Sequence, residues 1–107
     1  MSGFPKIGTA IPQRRYQYGD FGVTILGEIE SQDDSQYQFI AAFVREGEGQ
    51  PRLFIVSERT PPAERVQGSH RLRVINSSMD EVMDVDARWS RLGDFSEQAL
   101  EMGAQLL

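Results

Sequence analysis

The sequence predicts an α+β fold: an antiparallel, five- to six-stranded meander sheet with one C-terminal amphipathic helix packed on it. Three observations predict it. Successive segments between residues 14 and 89 either alternate apolar and polar side chains at period two or are apolar on both sides. Short clusters of Gly, Pro, Asp and Ser separate those segments. Only the last stretch, from Asp94 onward, changes to helical spacing. With 107 residues the chain is long enough for one domain and too short for two ordinary ones.

Residues 1–13 mix Gly, Pro and isolated apolar residues without a period, which predicts a loose or extended arm preceding a single domain over 14–107. Phe4, Ile7 and Ile11 are the residues of that arm able to tack it to a core. Arg14–Tyr18 alternates and predicts a short strand ending at Gly19-Asp20. In Phe21–Glu30, Phe21, Val23, Ile25 and Ile29 share one face, while Gly27 marks a bulge or a close backbone approach. The polar Ser31–Gln36 loop leads into Tyr37–Arg45, and the glycine-bearing turn Glu46–Pro51 leads into Arg52–Glu58. Both of these strands are apolar on their two faces, so both are predicted to be central and covered on each side.

Arg59–Ser69 is the longest break, and Pro61-Pro62 bars a ladder at its start. One helical turn fits Pro62–Val66, and His70–Asn76 returns as a strand. Met79–Trp89 favours a strand over a helix, because Met83, Val85, Ala87 and Trp89 alternate with Asp84, Asp86 and Arg88. Trp89 is expected to seat the C-terminal helix. In that helix Phe95, Ala99, Met102, Gly103 and Leu106 form one stripe, with Asp94 or Ser96 as the cap.

A helix of about 12 residues spans only about 18 Å and covers part of one sheet face. The other face needs a cover: a strongly coiled or half-barrel sheet that folds on itself, a second copy of the chain, or a ligand or partner.

Composition removes several function classes. The absence of cysteine excludes disulfides, thiolate catalysis and cysteine-held metal clusters. No run approaches the roughly 20 apolar residues of a membrane helix, and no apolar signal core follows the N-terminus, so a cytoplasmic location is expected. The net charge of −5 disfavours general binding to nucleic acid or anionic membranes. Charge is nevertheless segregated, with residues 59–75 net basic and both flanking stretches net acidic.

Three constellations bear on chemistry. Arg59, Arg65, His70, Arg71 and Arg73 border the proline loop and form a candidate site for an anion or an acidic partner. Pairing of these arginines with the acidic stretches of the same chain is the simpler reading. Asp84 and Asp86 on one strand face would stand roughly 7 Å apart, which makes them candidate ligands of a hard cation with His70 nearby. His70 has no nucleophile elbow to serve, and Gly47-Glu48-Gly49 lacks the lysine and following helix of a phosphate loop.

The expectation is therefore a non-enzymatic binding or assembly module that uses an apolar sheet face toward a protein partner or a second copy, as in a homodimer. No cofactor, membrane or nucleic-acid partner is expected. Two alternatives differ in class: a small enzyme or metal-dependent protein using Asp84, Asp86 and His70, and a weak phosphate or nucleic-acid binder using Arg59, Arg65, Arg71 and Arg73.

Overall fold

A computed structural model describes residues 4–107. Six strands follow one another: β1 Ile7–Tyr18, β2 Phe21–Ser31, β3 Tyr37–Arg45, β4 Leu53–Arg59, β5 His70–Ile75 and β6 Asp80–Val85. They lie in the sheet in chain order, each antiparallel to the next, so the sheet is a meander with β1 and β6 as its open edges. A 3-10 turn at Ala87–Ser90 then leads into the helix α1, Leu92–Leu106, which packs on the sheet. None of the described helices is long and apolar enough to cross a membrane.

Local chemistry explains the turns. Tyr18 pairs with Phe21 across two loop residues, and Gly19 takes φ 56° at the first of them, a requirement of the tight II′ hairpin. Between β3 and β4, Arg52 donates to both carboxylate oxygens of Glu48, at 2.7 and 2.8 Å. The proline break becomes a 3-10 turn over Pro62–Gln67, with Pro at its start where no N–H is needed.

Both faces of the central strands are covered, each by different means. On one face Val23, Ile25, Phe39, Ala41, Phe43, Leu53, Ile55, Leu72 and Val74 meet Trp89 and the helix residues Phe95, Ala99 and Met102. Phe39 and Phe95 stack there with ring centroids 5.5 Å apart. On the other face Ile40, Phe54, Val56 and Ile75 are buried beneath Phe4, Ile7, Leu26, Ile29 and Tyr37. Phe4 meets Phe54 edge to face, with centroids 5.1 Å apart. The chain therefore covers its own second face, with the N-terminal segment and the coil of β1 and β2.

That coil has a local cause. The β1–β2 register shifts three times, between Ile7 and Thr9, Thr9 and Ile11, and Pro12 and Arg14. Bulges of this kind strengthen twist and bend the bulged strand. Glu28 takes φ 47° at one of them. A Cβ on Gly27 would stand 2.9 Å from Gln13 Cγ, so the glycine is where the Gln13 side chain crosses the strand closely.

Several sequence expectations shift. Ile29 packs on the face opposite Phe21, Val23 and Ile25, because the bulge at Glu28 changes the phase of β2. β1 begins at Ile7 rather than Arg14, because its bulges interrupt the alternation that marks a strand. Met79–Trp89 divides: β6 ends at Val85, and Asp86 caps the 3-10 turn by accepting a 2.9 Å bond from the Arg88 amide. The helix starts at Leu92, with Arg91 at the N-cap position and no side-chain cap, so neither Asp94 nor Ser96 serves as one. Asp94 instead lies in the first turn, where its charge favours the helix N-terminus, and Ser96 is buried.

Candidate functional site

The basic residues around the proline loop come together at one end of the sheet. Arg59, Arg65, Arg71 and Arg73 all line a cleft of about 640 Å3, bounded by the β2–β3 loop on one side and Pro61-Pro62 on the other. Register dictates how they divide. Glu58 of β4 stands opposite Arg71 of β5, and Val56 opposite Arg73, so these charges rise from the face that buries Phe54 and Val56. Arg59 stands opposite His70.

Glu58 organises this end and is itself 5% exposed. It accepts from Arg71 Nε at 3.1 Å and from Nη1 of Arg73. Arg73 also donates through Nη2 to Asp80 of β6, 2.9 Å from each oxygen. Arg71 Nη1 lies 3.8 Å from Glu64. Burial would lower the Arg73 pKa, but hydrogen bonds and charges from Glu58 and Asp80 outweigh it and raise it. Arg65 donates through Nε to the Thr60 carbonyl at 2.9 Å. The cleft is thus largely neutralised by acids of its own chain, as the segregation of charge along the sequence suggests.

Asp33 lies on the opposite wall. Hydrogen bonds from the Ser31 and Ser35 side chains, then the Ser35 amide, lower its pKa from 3.8 to about 2. They hold the loop closed on itself.

His70 is not among the residues lining the cleft. Its Nδ1 lies 2.9 Å from Ser69 Oγ and its Nε2 3.3 Å from Gln38 Oε1. Burial first, and the positive charge of Arg59 second, lower its pKa below 6.5. The metal candidates separate as well. Asp84 accepts a 3.0 Å bond from the indole Nε1 of Trp89, while Asp86 caps the following turn. No cluster of three His, Asp or Glu side chains able to hold a metal occurs among the described residues.

The partners of two buried side chains escaped the sequence reading. Glu58 is the hub of the ion pairs, and its signal was phase: it follows Phe54 and Val56 at period two on a buried face, where a carboxylate needs partners. Trp89 is held at three points, by Asp84 at its indole, by the Ser57 hydroxyl donating to its carbonyl at 2.6 Å, and by the Arg88 guanidinium 4.4 Å from its ring centre.

Comparison of the chain with protein-family models, with characterised proteins and with solved structures finds no match.

Proposed function

We propose that the protein is a non-enzymatic binding or assembly module that works through the edges of its open sheet. One observation carries this reading. Of the seven large apolar side chains that stand exposed among the described residues, four belong to the two edge strands: Ile11 and Tyr18 on β1, Val82 and Met83 on β6. An edge strand already offers unpaired backbone donors and acceptors to an incoming strand, and exposed apolar side chains beside them add a driving force. The apolar sheet face expected from sequence is already buried under Phe4, Ile7, Leu26 and Ile29, which moves the recognition surface to the edges. Engagement of Asp84 and Asp86 in structural hydrogen bonds supports the non-enzymatic side of the reading.

The test is site-specific photocrosslinking in cells. A photoreactive phenylalanine analogue at position 83 or 18 is expected to give discrete adducts that the same analogue at position 105, on the exposed side of α1, does not give. Equal labelling from all three positions would overturn the edge reading.

A second reading rests on Arg59, which is exposed and enters no ion pair among the described residues while lining the cleft. It supports weak capture of a phosphate or carboxylate group there. Phosphate titration that leaves the Arg59, Arg65, Arg71 and Arg73 signals unmoved would remove it.

A further inference from the structure

The two edges of the sheet carry opposite charge. β1 holds Arg14 and Arg15 and no acid; β6 holds Asp80, Glu81 and Asp84 and no base. Within the chain Asp80 serves Arg73, and Asp84 serves Trp89. Arg14 and Glu81 are exposed, enter no salt bridge among the described residues and rise from the same face, Arg14 standing opposite Ile25 and Glu81 opposite Val74, both of the helix-side core.

Strand direction adds a second condition. Six strands, each antiparallel to its neighbour, leave β1 and β6 running in opposite directions. A copy translated across the sheet therefore presents β1 antiparallel to β6 and continues the alternation of the meander. Lengths agree as well. Beyond the last register shift, at Pro12/Arg14, β1 runs regularly over Arg14–Tyr18, and β6 is six residues long. Pro12, which has no N–H to offer, lies outside that run. Pairing β1 with β1, or β6 with β6, would set like charges against one another.

We propose that β6 of one copy pairs antiparallel with the Arg14–Tyr18 run of β1 in a second copy, extending the sheet head to tail. This rests on the edge reading above and names its occupant. The contact is a single short strand pair, so it is weak and concentration-dependent. It is heterologous, and copies add in a row unless the rotation between them closes a ring. Its charged pairs lie at the surface, so salt weakens it.

Sedimentation velocity of the full-length protein tests this, using the wild type, Arg14→Glu and Glu81→Arg, two positions on one face of the sheet. Circular dichroism verifies that both variants, altered only at exposed positions, keep the fold. The wild type is expected to associate with rising concentration, and less so in high salt. Each reversal alone is expected to weaken association about fivefold or more. An equimolar mixture of the two variants is expected to recover it, because every junction can again join opposite charges. Two outcomes overturn the proposal: association that Arg14→Glu leaves unchanged, and a wild type that stays monomeric up to about 1 mM in low salt. A monomer that still gives position-83 adducts with a different protein overturns the second copy as occupant and leaves the edge reading standing.

Discussion

Gly103 faces the tightest point of the helix–sheet contact. A Cβ there would overlap Phe43 Cε2, and Phe43 is fully buried between strands and helix. Gly103→Ala is therefore expected to cost about 1–2 kcal/mol in urea denaturation, overpacking outweighing the better helix propensity of alanine. Gly93, in the first turn of the same helix, has nothing within 4 Å of its added Cβ. Gly93→Ala is expected to stabilise by about 0.5 kcal/mol, and a reversed order of the two variants would contradict this packing. His70 gives a second residue-scale prediction. Its pKa is depressed, so its contribution to stability is complete above 6.5 and is lost as pH falls toward the depressed value. Arg59→Ala removes one cause of that depression. The His70 ring signals should then titrate at higher pH than in the wild type, and an unchanged NMR titration would show that burial alone sets the value.

Glu58 acts between elements. It ties β4 to Arg71 and Arg73 of β5, and through Arg73 the tie reaches Asp80 of β6. Glu58→Gln keeps the shape but leaves two guanidinium groups against a neutral acceptor. It is expected to cost about 2 kcal/mol in thermal or urea unfolding, with amide exchange accelerating first in β5 and β6. Elements of this kind differ in how far the sequence reveals them. β3 and β4 are legible because alternation and burial coincide: Phe39, Ala41 and Phe43 fall on the helix side, and Phe54 and Val56 on the other. The first half of β1 is not legible, since bulges shift its faces and Pro12 interrupts its donors. The helix start is obscured for another reason. The preceding 3-10 turn around the buried Trp89 directs the chain into α1, and no side-chain cap marks the position. Four arginines of the basic group are brought to one cleft as the sequence suggests, but their partners depend on cross-strand register, which segment charge does not encode.

At the scale of the whole molecule, one chain covers both faces of an open sheet with unequal means: a helix on one side, and the N-terminal segment with a coiled β1–β2 hairpin on the other. Phe4 belongs to that second cover: it precedes the first strand and meets Phe54 edge to face. Phe4→Ala is expected to cost about 1–2 kcal/mol and to raise binding of a hydrophobic dye as Phe54 opens to water. Unchanged dye binding would mean that the coil alone protects this face. With both faces closed, four of the seven exposed large apolar side chains among the described residues stand on β1 and β6, whose charges are opposite in sign. The most direct test of that account is amide hydrogen exchange, followed residue by residue at low and at high protein concentration. Protection is predicted to rise with concentration in Arg14–Tyr18 and Asp80–Val85 together, while β3 and β4 stay as they were; edges whose exchange does not change with concentration, or a change confined to the proline-loop cleft, would contradict it.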